Sequence, residues 1–379
     1  MFDQRFIPLL EPNLTGNEKN YLMQCIDDNW ISSAGSFVTT FEQRVAEISG
    51  TKYAVSTMNG TTALSLLLIS IGIQPSDYII VPNWTFAATA NAVAHICAKP
   101  FFADVCPKTG SIDEVTLRNA LQSAKEKKLP IKGVIAVHPL GNSVDLDPLL
   151  KICNDNDIPL IEDAAGALGS KYKNRPLGSI GKAAIISFNG NKIVTAGGGG
   201  IIVTNDEELA TTARHLSTQA RVGSRYIHDK IGYNLRMTNL CAAVGVAQLE
   251  RLDEIIQRKK EIAAIYDNII VERTDLKKLL YPENSFWNGW MYALLTSSTK
   301  DADSLITHLN DCGIGARHFW SDLSIQDPYR NFPRSQNQQG AHHLSETMVT
   351  LPNSCNLSKH DIERICEALV KWTGRKGLT

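Results

Sequence analysis

The eight cysteines of this chain include no CxxC pair and no metal-like spacing, which removes a dithiol redox centre and a structural zinc site from consideration. Most fall inside apolar patterns, as Cys97, Cys153 and Cys366 do, and read as buried free thiols in a reducing cytoplasm. Long hydrophobic runs are missing too. The longest, around ALSLLLISIGI, is far short of the roughly 20 residues that a membrane span needs. Neither sign of charge dominates. A formal net charge of −1 offers no electrostatic footing for nucleic acid or an anionic membrane. The start, MFDQRFIPLLEP, lacks a basic region followed by an apolar one, so no secretory signal is expected. Low-complexity segments, internal repeats and obvious linkers are absent as well. What remains is 379 residues, 43% hydrophobic and 20% charged, the make-up of a soluble cytoplasmic protein with a large core and room for two domains.

Strand-like runs alternate with helical periodicity. YAVST, YIIVP, PFFADV, GVIAV and IPLIED read as strands. TTALSLLLISIG, TFAATANAVAHI, a segment from about Asp113 and another after Asp145 read as helices. Ahead of them, Thr39 and Glu42 have the spacing of a capping box for a helix with Phe41, Val45 and Ile48 on its apolar face. This alternation predicts parallel strands with helical crossovers on both faces. The run from Thr238 to Ile270 reads as one long helical stretch, followed by the extended GWMYALLTSST, a helix after Asp301 and a terminal helix after Ser358. The expected architecture is α/β, with a large domain over 1–250 and a smaller α+β domain over 251–379.

In open α/β sheets, ligands sit beyond the carboxyl ends of the strands, and four strand-to-helix turns carry polar residues there that no core requires. In STMNGTTAL, Gly60 and Thr61 open a helix; this is either a phosphate site or an ordinary capped helix start. In VPNWTFAATA, Trp84 and Phe86 follow a strand; both are core unless a flat ligand stacks on one of them. In IEDAAGALGS, a buried strand runs into Glu162 and Asp163. A carboxylate there caps a helix or pairs with a cationic ligand nitrogen. The fourth turn, SFNGNKIVTAGGGG, sets Lys192 among small residues, where desolvation makes a lysine a nucleophile or Schiff-base former.

Nucleotide-binding signatures do not account for these turns. The nearest approach to GxxxxGK[ST], at Gly181 and Lys182, has Pro176 where the first glycine belongs and Ala183 after the lysine, and no GxGxxG follows a strand. Together the turns describe one ligand: a phosphate at a helix N-terminus, a flat ring against an aromatic, an acid for a ring nitrogen and a lysine for an aldehyde. Pyridoxal 5′-phosphate has these groups.

On NGTTAL, VPNWTFAATANAV, FFADV, IEDAAGALGSKYKNRPLGSIG, SFNGNK, GGGGIIVTND and GYNLRMTNLCAAVGVAQLERLD, the chain resembles the nucleotide-sugar aminotransferases of the DegT/DnrJ/EryC1/StrS family over nearly its whole length. The resemblance implies a fold-type I, aspartate aminotransferase-like architecture: a large, mostly parallel mixed sheet flanked by helices, plus the smaller C-terminal domain. It implies Lys192 as the Schiff-base lysine, Asp163 as partner of the pyridine nitrogen and Phe86 over the ring. It implies phosphate contacts from Gly60, Thr61 and Ser187, and from Asn234 toward the neighbouring subunit's cofactor, hence a homodimer with shared sites. One position departs from the pattern. Where the family has Gln, His or Glu near the cofactor's ring hydroxyl, this chain has Gly166.

LLEPNLTGNE, WISSAGSFVTTFE and SFNGNK are most similar to enzymes that aminate C4 of UDP-linked 4-keto-6-deoxy-N-acetylhexosamines, on routes to cell-surface glycans and nonulosonic acids. Glutamate is the implied amino donor. Trp30 and Ser32 in that stretch, and Arg317, His318 and His138 elsewhere, are candidate substrate contacts; for the two histidines a purely structural role stays open. The adjacent His342 and His343 read as surface loop, not metal ligands. Amination at C3, a sister dehydratase and a non-catalytic sensor are the rival readings. The dehydratases carry histidine where Lys192 stands, and a sensor would not need the lysine and aspartate kept together.

Overall fold

The computed structural model describes residues 5–373. Seven short apolar runs form one sheet: β1 Tyr53–Thr57, β2 Tyr78–Pro82, β3 Lys99–Ala103, β4 Ile131–Val137, β5 Leu160–Asp163, β6 Ala183–Ser187 and β7 Gly200–Thr204. Their order across the sheet is β1-β7-β6-β5-β4-β2-β3. The pairs from β6 to β3 are parallel, whereas β7 runs antiparallel to both β6 and β1. The sheet is therefore mixed but mostly parallel.

Helices cover both faces, which is why the strands read as continuous apolar runs instead of alternating ones. Ser36–Ser49 (α1), Glu114–Glu126 (α2) and Leu146–Asp155 (α3) bury Phe41, Leu117 and Leu149 on one face. Gly60–Ile71 (α4), Ala88–His95 (α5) and Glu207–Leu216 (α6) bury Leu64, Val93 and Ala213 on the other. Neighbours on β2 divide as strand alternation requires: Ile80 joins the first cluster, Ile79 and Val81 the second.

The C-terminal part carries a four-stranded antiparallel sheet in the order β8-β9-β11-β10, formed by Leu276–Lys277, Tyr292–Thr296, Met348–Leu351 and Arg317–His318 respectively. Helices Thr299–Asp311 (α7), Gln339–Thr347 (α8) and Lys359–Lys371 (α9) accompany it. Ser358 caps the last with a reciprocal bond to Asp361, as the sequence leads one to expect. Ile7 bridges to Ile314 and shares the C-terminal core, so the N-terminal segment is tied to the end of the chain.

Four local expectations change. The single long helix is two, Asn239–Leu249 and Leu252–Ile270, and we set the division of the chain at this break. Gln248 Nε2 donates to the Asn13 carbonyl at 2.7 Å and Arg251 Nη1 to Asn13 Oδ1 at 2.8 Å, so contacts with the N-terminal segment override helix propensity at the joint. Cys97 is exposed, because α5 ends at His95 and residue 97 turns out with φ 60°. Cys153 is buried, Cys366 half-buried, and all eight thiols are free. His342 and His343 lie on α8, not in a loop; among the described residues no group of three His, Cys, Asp or Glu could hold a metal.

The fourth change concerns Glu42, which caps nothing. Helix α1 begins at Ser36, and Glu42 lies buried within it. Its carboxylate meets Arg236 at 2.7 Å and Arg214 at 2.8 Å, and accepts from the Ser56 N–H and hydroxyl at 2.8 Å each. Burial alone would raise its pKa, but the two guanidiniums and the Ser56 bonds outweigh it and hold the carboxyl below its ordinary value. Glu42→Gln should therefore cost about 2–4 kcal/mol of stability at neutral pH. The contribution is complete above the unfolded value of about 4.3 and is lost as pH falls through the lower folded value. Denaturant midpoints of both proteins, compared from neutral to acidic pH, should converge only at the acidic end. A constant gap would mean that the charge plays no part.

Candidate active site

The parallel strands deliver their carboxyl ends to one edge, where a cavity of about 510 Å³ opens. Gly60 and Thr61 reach it from the start of α4, Phe86 from the turn after β2, Asp163 from the end of β5, Ser187 from the end of β6, and Lys192 from the following loop. Trp290 and the segment Arg317 to Trp320 close it from the C-terminal part. A larger cleft of about 1360 Å³, between residues 104–126 and 277–280, contains neither the lysine nor the acid that chemistry at this edge would use.

Asn59 caps α4 by accepting from the Thr62 N–H at 2.9 Å, with Thr62 bonding back. The two N–H groups ahead of it, those of Gly60 and Thr61, belong to cavity-lining residues at the positive end of the helix. A side chain on Gly60 would begin 3.0 Å from the Ser187 Cβ, so the serine hydroxyl stands beside them. The last glycine of the run has a steric cause. A Cβ on Gly200 would lie 2.3 Å from the Asn59 carbonyl oxygen, so only glycine lets β7 leave the lysine loop against this turn.

Asp163 is 6% exposed. No helix follows it in the chain order, where residues 164–169 form turns, so the capping alternative falls away. Its Oδ2 accepts from the Thr89 hydroxyl at 2.8 Å and its Oδ1 from the Ala165 N–H at 3.2 Å. Lys192 is half-buried in the cavity wall. Loss of hydration lowers its pKa to about 8, against the upward pull of the Asp163 charge.

The two aromatics after β2 separate. Trp84 is core, 1% exposed, with its indole N–H on the Trp320 carbonyl at 2.9 Å. Phe86 is 62% exposed and lines the cavity. His138 lines the cavity, yet both ring nitrogens are engaged: Nε2 donates to Glu162 at 3.0 Å and Nδ1 accepts from the Val144 N–H at 3.3 Å. Arg317 and His318 also line it. His318 Nε2 is held by Asp303 at 2.7 Å, and Arg317 makes no ion pair among the described residues. Trp30, Ser32 and Asn234 are not brought to this cavity. Trp30 and Ser32 lie at the start of helix 239–249, where the Ser32 and Trp30 carbonyls take the backbone and side-chain N–H groups of Asn239, and Asn234 forms an isolated bridge with Thr218. Phe319 and Trp320 belong to IGARHFWSDL, which by resemblance lines the sugar site, whereas Trp290 and Thr89 carry no sequence signal for a site, because each reads locally as an ordinary strand or helix residue.

The donor set fits pyridoxal 5′-phosphate: helix N–H groups for a phosphate, an open phenyl face for a ring, a carboxylate for a ring nitrogen and an amine of reduced basicity for an aldehyde. Attachment of pyridoxal 5′-phosphate, trapped by borohydride and located by peptide mapping, should fall on Lys192 and reach half its limiting rate near pH 8, not near the roughly 10.4 of a free lysine. Asp163→Asn should move that midpoint lower still, by removing the charge that opposes the shift. Label on another lysine, or a midpoint of an ordinary lysine, would overturn this assignment.

Comparison with known proteins agrees with the geometry. The family model described as DegT/DnrJ/EryC1/StrS aminotransferase matches residues 12–370. The chain is 36% identical to GDP-perosamine synthase of Escherichia coli O157:H7 over 377 residues, covering 98% of this chain and 100% of that one. Among solved structures it superposes on the putative sugar aminotransferase Spr1654 from Streptococcus pneumoniae, in its PMP form, with TM-score 0.89, 26% identity and 96% of each chain covered. It also superposes on DesI in the presence of its TDP-sugar product, with TM-score 0.87, 28% identity and 97% of this chain and 93% of that one covered. The protein is a pyridoxal phosphate-dependent sugar aminotransferase and belongs to the DegT/DnrJ/EryC1/StrS family.

Proposed function

We propose that this enzyme moves an amino group from glutamate to the C4 ketone of a nucleotide-linked 4-keto-6-deoxy sugar, with a UDP-linked N-acetylhexosamine as the first substrate to test. The observation that carries the reading is the desolvated Lys192 amine, acted on by the Asp163 charge, in a cavity whose remaining wall holds Arg317, which makes no ion pair among the described residues. A GDP-linked sugar is the second reading, favoured by the names of relatives such as the perosamine synthase. The free thiols accord with a cytoplasmic enzyme.

Pyridoxal 5′-phosphate, when bound, supplies the electron sink. The chain supplies the rest. The N–H groups of Gly60 and Thr61 and the Ser187 hydroxyl bind its phosphate, and Phe86 covers its ring. Asp163, oriented by Thr89 and the Ala165 N–H, keeps the proton on the pyridine nitrogen. Lys192 Nζ takes a proton from one carbon and returns it to another, which an amine of near-neutral pKa does in both directions. Arg317 answers the anionic part of the nucleotide.

The reading includes a homodimer with shared sites, which exposed apolar side chains support. Close to Asn234 in the chain, Tyr226 and Ile231 are 86% and 88% exposed, and Trp30 and Ile31, beside the start of helix 239–249, are 55% and 53% exposed. A second copy docked there would cover them and bring Asn234, Trp30 and Ser32 to the other subunit's cavity.

Release of 2-oxoglutarate from glutamate, followed with a panel of UDP-, GDP- and dTDP-linked keto sugars, should depend on one sugar class. The position of the new amine in the product decides C4 against C3. Asp163→Asn should lower the rate by about several powers of ten while still binding cofactor. Lys192→Ala and Asn234→Asp, each inactive alone, should complement on mixing. About half the dimers would be mixed and each would hold one intact site, giving roughly a quarter of wild-type activity. Verified mixed dimers without activity would remove Asn234 from the neighbour's site.

A further inference from the structure

The loop that carries Lys192 is held by a residue from the other end of the chain. Trp290 is 4% exposed, just ahead of β9. Its indole N–H donates to the Asn191 carbonyl at 2.7 Å, the peptide immediately before the lysine. Its ring lies under the lysine, with Nζ 4.0 Å from the ring centroid. The indole can occupy this position because residue 166 has no side chain: a Cβ there would stand 2.1 Å from Trp290 Cε3 and 2.3 Å from Cζ3. Asn288 locks the arrangement. Its Nδ2 donates to the carbonyls of Gly166 and Leu168 at 2.8 and 2.9 Å, and its Oδ1 accepts from the Trp290 N–H at 2.8 Å.

We propose that Trp290 is a positioning residue for Lys192, its ring face carrying the amine whenever the lysine is not covalently engaged, and that Gly166 is glycine to admit the indole. The inference rests on the reading of Lys192 as the cofactor-attaching lysine. Each turnover detaches that lysine, and a freed four-carbon chain has many rotamers to explore. A cation over an indole face is attracted to it, most strongly away from water, so the ammonium has a fixed perch close to where it must act. Among the described residues, Asp163 is the acid whose charge raises its pKa; Arg317, His318 and His138 line the same cavity, and Glu11, Lys259 and Cys355 line a small cavity on the other side of the lysine loop. The indole N–H of Trp290 is committed to the Asn191 carbonyl and its backbone N–H to Asn288, so the indole offers the lysine a face and not a hydrogen bond.

The test compares wild type with Trp290→Phe, Trp290→Leu and Gly166→Ala by the pH dependence of pyridoxal 5′-phosphate attachment to Lys192, trapped with borohydride and read by mass spectrometry. Removing the ring face in Trp290→Leu removes a stabiliser of the ammonium, so the midpoint should fall by about half a pH unit or more. Trp290→Phe, which keeps a weaker face, should fall less. Gly166→Ala, whose new methyl must push the indole aside, should shift the midpoint the same way without touching Trp290 itself. A purely structural role predicts the opposite sign, since a loosened site admits water and raises the midpoint. An unchanged or raised midpoint in the variants that fold, with Lys192 still labelled, overturns the proposal. Failure of the wild type to label Lys192 would instead overturn the reading of the site on which it rests.

Discussion

The constraint on which this molecule turns is an amine kept from water at the carboxyl edge of a parallel sheet. A lysine ammonium gives up its hydration there with one carboxylate and one aromatic face in return, and its basicity falls accordingly. Much of the surrounding architecture serves that condition. The glycine at 200 allows the loop to leave against the Asn59 turn, the glycine at 166 admits an indole, and Asn288 fixes that indole to the backbone after Asp163.

Two adjacent acids illustrate how a strand sorts chemistry from structure. Glu162 and Asp163 end β5 and point to opposite faces of the sheet. Glu162 is fully buried and accepts from His138 and from the N–H groups of Gly178, Ile180 and Gly181 at 2.7–3.0 Å. Burial works to raise its pKa, but those donors prevail and keep it low, so it is a fixed anion that shapes the loop beneath the sheet. Asp163, one residue on, keeps an edge in the cavity and is held by only one hydroxyl and one N–H. The first acid is saturated by the protein; the second retains capacity for a ligand.

The cavity also draws on parts of the chain far apart in sequence. Its floor comes from the large sheet, while Trp290 and the Arg317–Trp320 segment come from the C-terminal part. Any movement of the one against the other therefore acts on the perch of Lys192 and on the substrate wall together. Outside this cavity, exposed apolar side chains such as Trp30, Tyr226 and Ile231 stand open on a single chain.

The strands of the large sheet, most of its helices and the candidates Lys192 and Asp163 were determined by local sequence. Periods of 2 and 3.6 are local properties of a chain, and a charged residue at the end of a buried strand has no core reason to be there. The same locality explains the misreadings. Thr39 and Glu42 had the spacing of a cap, but Arg236 and Ser56, distant in the chain, claimed the carboxylate. The helix from Thr238 looked continuous, but Asn13 pinned its middle. Trp84 and Phe86 looked alike, and only packing against Phe319 and Trp320 made one of them core and left the other open. Gly166 could be seen to depart from a pattern, yet nothing near it in sequence named the indole that fills its place. Tertiary structure alone decided that, because steric exclusion between distant residues leaves no periodic trace in either segment.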